Sequence, residues 1–287
     1  MDLLKTIRAA AGPRRTTGLP DEVIEDFLMS SNDLSEAITM AHDYWKTLDA
    51  DSTYSKAEEL LIQETAQGWC LFYKDYMRAP YIPIAAKGSW LVTLHGAVLN
   101  DSGGYGMLGF GHAPAVVLEA MSRPSTVMAN VITPSLSQIR FNKAIRNEVG
   151  HTRATGCPFS QFLFMNSGSE ANAVLDRIVD VTTGHLLSSD LPDAKRGYGK
   201  ILTVSLEGCF HGRTFKPAVW THSCTESYIN HRCHSINEAK AQSLRTVKPN
   251  DCLALQNIFD EAETAGDFIE LVIMEAVMGE GKGPFCL

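Results

Sequence analysis

The sequence predicts an α/β protein whose second half rests on a largely parallel sheet, with a helical region before it. Two patterns carry this prediction. From residue 160 onward, strand-like runs near 161–165, 200–206 and 270–275 alternate with helical stretches near 169–182 and 252–264. Such alternation marks parallel strands crossed over by helices. Each strand-like run also ends in a short turn containing glycine, and ligands of such sheets sit at the carboxyl ends of the strands.

The elements before residue 160 read differently. Residues 20–66 have helical periodicity. Asp33-Leu34-Ser35-Glu36 looks like a helix start, and Leu34, Ile38, Ala41, Trp45 and Leu48 recur on one helical face. A second helical stretch, Tyr54 to Ala66, carries Leu60, Leu61 and Ile62. These helices are expected to pack on a neighbouring element or a partner subunit. Trp90 to Leu94 and Ala97 to Leu99 flank His95-Gly96, which predicts a β-hairpin with a glycine turn. A glycine-rich loop, Asp101 to Gly106, follows, then helices from Pro114 to Met121 and from about Ser135 to Val149. The chain therefore divides into a helical extension over 1–80, a hairpin with helices over 81–150, and an α/β domain over 151–287.

Composition narrows the function. A formal net charge of -8 disfavours a nucleic-acid partner. No apolar run is long enough to span a bilayer, so no membrane role is expected. Seven scattered cysteines without a C-x-x-C pair suggest reduced thiols inside a cell. Lys5, Arg8, Arg14 and Arg15 leave a mitochondrial presequence open, but Asp2 and the acidic run from Asp21 favour the cytosol.

Three motifs carry the chemistry. Motif one, Asn166 to Asn172, follows the apolar run Phe162 to Met165, read as a buried strand. Its turn into a helix aims backbone N–H groups at one point, and Ser167 and Ser169 add hydroxyls around Gly168. An anion site and a plain turn capped by Ser169 both fit this pattern. Motif two, Glu207 to Thr214, sets Phe210, His211 and Gly212 at a strand end. Phe210 suits stacking on a flat heteroaromatic ring, although a loop with one buried ring also fits. Motif three runs Leu271-Val272-Ile273-Met274-Glu275-Ala276-Val277-Met278-Gly279-Glu280-Gly281 and delivers two carboxylates into a turn, either site groups or solvated loop residues.

Together, in this order and spacing, the motifs resemble the N-terminal portion of the class III aminotransferases of the ornithine and 4-aminobutyrate type. The resemblance covers roughly residues 80–287 and includes the hairpin and the Gly-Gly-Tyr-Gly loop. It implies the major domain of the fold type I transferases that bind pyridoxal 5′-phosphate. It also implies amino transfer between an amine or amino acid and a 2-keto acid, and a homodimer in full-length members. By position, Ser167, Gly168 and Ser169 would hold the cofactor phosphate. Phe210 would stack on its ring, with His211 beside it, and Glu275 would lie near the ring hydroxyl. Tyr105 and Glu280 would border the substrate. The sequence departs from the family pattern at Ala173, usually acidic, and at Ala276, usually proline.

The resemblance also places the Schiff-base lysine and the ring-nitrogen aspartate after motif three, and the sequence ends six residues after Gly281. Lys282 is too close to the motif to be that lysine, and Asp260-Glu261 reads as a solvated helix face. The catalytic groups thus stay unassigned, and an incomplete chain is expected. A non-catalytic binding partner of a full-length relative is the alternative, and a decarboxylase or mutase of the same cofactor is a third reading. His222, Cys224, His231, Cys233 and His234 crowd a segment read as a surface loop, but their spacing matches no standard zinc site, so no metal is expected.

Overall fold

The computed structural model describes residues 1–69, 78–102, 109–124, 133–188 and 198–279. The chain divides into two compact units, Met1–Ser135 and Leu136–Leu287. Among the described residues no helix is long and apolar enough to cross a membrane.

Among the described residues of the first unit, four helices precede an antiparallel sheet. They are α1 (Asp2–Ala10), α2 (Asp21–Leu28), α3 (Asn32–Trp45) and α4 (Glu58–Ala66). The sheet is β1 (Pro83–Lys87), β2 (Trp90–Thr93) and β3 (Val98–Asn100), in that order. A short helix, α5 (Ala115–Ser122), follows. The predicted hairpin is present, with Leu91 opposite Leu99 and Val92 opposite Val98. Its turn needs glycine. Gly96 sits at φ +74°, and a Cβ there would stand 2.6 Å from Arg8 Cγ.

The neighbour that the helices pack on is this sheet. Leu4 and Ile7 of α1, Ile24 of α2 and Leu34, Ile38 and Ala41 of α3 share one core with Trp90, Val92 and Val98. Each fully buried aliphatic side chain contributes about 1.5–3 kcal/mol. Helix α3 begins one or two residues before the predicted start. Its cap is Ser31, whose hydroxyl accepts the Leu34 amide at 3.3 Å and the Trp90 indole N–H at 3.0 Å.

The second unit is α/β. Its elements are α6 (Leu136–Gly150), α7 (Gly168–Leu187), β4 (Ile201–Leu206), α8 (Phe215–Trp220), α9 (Thr225–Asn230), α10 (His234–Ser243), β5 (Leu244–Val247), α11 (Cys252–Ala265) and β6 (Phe268–Ile273). The strands form a parallel sheet in the order β5-β4-β6. Central β4 is buried from Leu202 to Leu206, as expected for a strand covered on both faces.

The structure corrects three sequence expectations here. The run 161–165 is neither a strand nor buried: Leu163, Phe164 and Met165 are exposed. A strand exists through hydrogen bonds to a neighbour, and among the described residues none pairs with this run. Its rings contact other rings instead: the Phe164 centroid lies 4.8 Å from that of Phe141 and 6.4 Å from that of Phe162. The third strand is β5, whose short Leu-Arg-Thr-Val run lacks a clear alternation. The histidine- and cysteine-rich segment is not a surface loop either. It includes helices α9 and α10, and Cys224 is buried.

Candidate functional site

Motifs two and three leave the sheet at neighbouring strand ends, after Leu206 of β4 and Ile273 of β6. Motif one is the N-terminus of α7. Four side chain to backbone hydrogen bonds join them.

Ser167 is the N-cap of α7, and its hydroxyl accepts the Glu170 amide at 3.2 Å. The cap is therefore Ser167, not Ser169. Ser169 turns to motif two, where its hydroxyl accepts the Arg213 amide at 3.1 Å and its carbonyl accepts the Thr214 hydroxyl at 3.2 Å. Both serine hydroxyls act here as acceptors, so each keeps its own proton to donate. The leading amides, those of Gly168 and Ser169, have no carbonyl of their own helix to bond. A Cβ at Gly168 would meet nothing within 4 Å, so the helix tip faces open space.

Motif two lies tight against motif one. Gly212 has φ +124°, and a Cβ there would stand 2.6 Å from Ser169 Oγ and 2.9 Å from its Cα. The Asn172 side-chain amide donates to the His211 carbonyl at 2.7 Å. Thr221, fully buried, accepts the His211 amide on its hydroxyl at 2.9 Å. The Arg213 guanidinium lies 5.3 Å from the centroid of the Phe210 ring, covering one face.

Glu275 ties motif three to motif two. One carboxylate oxygen accepts the Phe210 amide at 2.8 Å, and the other accepts the Gly279 amide at 3.2 Å. The imidazole of His211 is buried, and its Nε2 makes no hydrogen bond among the described residues. Burial pushes its pKa below the ordinary histidine value, while the Glu275 charge pulls the other way and loses. His211 is thus held neutral, with one ring nitrogen unpaired.

The structure therefore brings together Ser169, Phe210, His211 and Glu275, with Ser167 and Gly168 at the same helix tip. Tyr105 and Glu280 lie outside the described residues. Four contributors had no role in the sequence reading. Asn172, Arg213 and Thr214 stood inside the motifs without a stated partner. Thr221 lies ten residues beyond His211, and no local pattern signals it. His222 serves the same loop, since its Nδ1 accepts the Gly208 amide at 2.9 Å.

Comparison with known proteins decides the family. The description "Aminotransferase class-III" matches residues 73–284. The chain belongs to the class-III aminotransferase family. Aminotransferases of this class work with pyridoxal phosphate. The chain is 27% identical over 209 residues to a glutamate-1-semialdehyde 2,1-aminomutase of Thermoplasma volcanium, covering 72% of this chain and 43% of that protein. Among solved structures, it resembles an ornithine aminotransferase of Toxoplasma gondii, with a TM-score of 0.55 and 16% identity over 80% of this chain and 48% of that one. A glutamate-1-semialdehyde aminomutase of Pseudomonas aeruginosa matches with a TM-score of 0.53 and 17% identity, over 86% and 49% of the two chains. These likenesses show the fold. The class-III chain described here spans under half the length of each of these relatives.

Proposed function

We propose that this chain carries the phosphate- and ring-binding part of a pyridoxal-phosphate-dependent class-III transaminase. That enzyme would move an amino group between an amine or amino acid and a 2-keto acid. One observation carries the reading: motif one and motif two meet at Ser169 and Gly212, beside a helix tip that faces open space.

The residues fit the cofactor. Ser167 and Ser169 keep hydroxyl protons to donate, and the α7 amides and helix dipole favour an anion. They would hold the phosphate. Phe210 has one face under Arg213 and would offer the other to the pyridine ring. His211 is neutral and has a ring nitrogen without a partner, so it can hydrogen-bond a ring substituent. Glu275 would act beside the ring hydroxyl while fixing the Phe210 backbone. Pyridoxal phosphate, when bound, supplies the carbonyl that captures an amine and the electron sink for proton transfer. This chain's residues would bind and orient it, the resemblance adds a homodimer in full-length members with Tyr105 and Glu280 at the substrate, and the N-terminal sequence favours the cytosol.

A spectrophotometric titration with pyridoxal phosphate tests this. Saturable binding should weaken about tenfold in Ser169→Ala, which removes a donor to a charged group. Binding that does not saturate, or that ignores this substitution, overturns the reading. A second reading, an aminomutase, is favoured by the Thermoplasma volcanium relative. Amino transfer that needs no keto acid acceptor would select it.

A further inference from the structure

Behind the motif-two loop, residues of α9, α10 and β5 line an open pocket of about 350 Å³ that the proposed cofactor site does not use. Two polar groups in its lining are chemically incomplete. Lys240 is nine-tenths buried, and its ammonium donates to the Thr221 carbonyl and, at 3.3 Å, to the Thr225 hydroxyl. It forms no ion pair among the described residues, and no aspartate or glutamate lines the pocket. Asn237 donates its side-chain N–H to the Tyr228 carbonyl at 3.1 Å. That bond fixes which end of the amide is nitrogen, and it leaves Oδ1 buried without a partner. The rest of the lining includes Ile229, Ala241 and Leu244.

We infer that this pocket binds a small 2-hydroxycarboxylate with an aliphatic tail. The carboxylate supplies the counter-charge that Lys240 lacks. The hydroxyl supplies the donor that Asn237 Oδ1 lacks. Residues 237 and 240 are three apart on α10, so they present to one side at roughly 5–6 Å between Cβ atoms. The adjacent carboxyl and hydroxyl of a 2-hydroxy acid suit that pairing, and a branched tail suits Ile229 and Leu244. An amino acid fits worse, because its ammonium would face Lys240 with no acid to hold it. A keto acid fits worse too, because it brings no donor to Asn237. Burial already pushes the Lys240 amine down to about 8, so a bound anion would relieve the buried charge.

The test is calorimetry on the full chain without added cofactor, using an isosteric series. The probes are 2-hydroxy-4-methylpentanoate, 4-methylpentanoate, 4-methyl-2-oxopentanoate and leucine. The hydroxy acid should bind about fivefold tighter than the acid without the hydroxyl, the size of one hydrogen bond, and leucine should bind weakest. Asn237→Leu should erase the hydroxyl preference. Lys240→Met should weaken the hydroxy acid about tenfold or more. Equal affinity for the hydroxy acid and 4-methylpentanoate overturns the proposal, as does leucine binding as tightly. Both results come from the unsubstituted chain, so the test stands even if Lys240→Met unfolds. Pyridoxal phosphate titration is separate, so either site can fail alone.

Discussion

Helices α3 and α7 are each capped by a serine hydroxyl, yet they are held in different ways. Helix α3 has fourteen residues and buries five side chains, Leu34, Ala37, Ile38, Ala41 and Trp45. Helix α7 has twenty and buries one, Thr183. Ile178 and Val181 of α7 stay exposed. The first unit is thus organised by apolar burial around a hairpin. The second concentrates its burial on β4, and its functional end is held by backbone amides meeting side-chain oxygens. Burial is non-directional and tolerates approximate geometry. Hydrogen bonds fix position, and position is what a binding loop needs.

Core truncation should show the contrast at its largest. Ile38→Ala should destabilise the first unit by about 2–5 kcal/mol. Ile178→Ala, on an exposed face, should stay within about 0.5 kcal/mol. Urea unfolding followed by circular dichroism measures both, and similar shifts would break the comparison. Next comes the contact between motifs. Gly212→Ala puts a methyl group 2.6 Å from Ser169 Oγ. Both the clash and the positive φ oppose it, at about 1–3 kcal/mol. Pyridoxal phosphate binding should fall with it, while the first unit's hydrogen exchange stays unchanged. A third substitution, Glu275→Ala, strips the Phe210 and Gly279 amides of their acceptor. The loss should be about 1–3 kcal/mol, and Glu275→Gln should recover part of it. A full loss in the glutamine variant would mean the carboxylate charge, not its hydrogen bonding, sets the loop.

The same contrast explains what could be read from sequence. The α3 stripe was legible because its periodicity is simple, and the hairpin because its paired strands adjoin in the chain. The three motifs were legible because each follows an apolar run and packs small or polar residues into a turn. The joints between them were not. Thr221 and Asn172 act through hydrogen bonds to the His211 backbone, and a backbone partner leaves no trace in the sequence. The run 161–165 shows the opposite error. Its composition reads as a buried strand, but a strand is a relation between two segments, and composition reports only one. Strand β5 was missed because four residues around Arg245 are too few to show a period.

The smallest expected effect concerns pH and separates the loop from its surroundings. His211 is buried neutral, and its folded pKa lies below the ordinary value of about 6.5. As pH falls, the unfolded chain takes up the proton first. Stability is therefore fully present above about pH 6.5 and declines as pH drops through the folded value. Glu275 limits the loss, because its charge favours the imidazolium. His211→Asn cannot protonate in this range, so it should flatten the decline in thermal midpoint between pH 7 and 5. Hydrogen exchange should place the remaining acid sensitivity outside the 207–214 loop. If the substituted chain loses stability with acid as steeply as the original, His211 is not the group that titrates, and its unpaired nitrogen is met by solvent rather than held for a ligand.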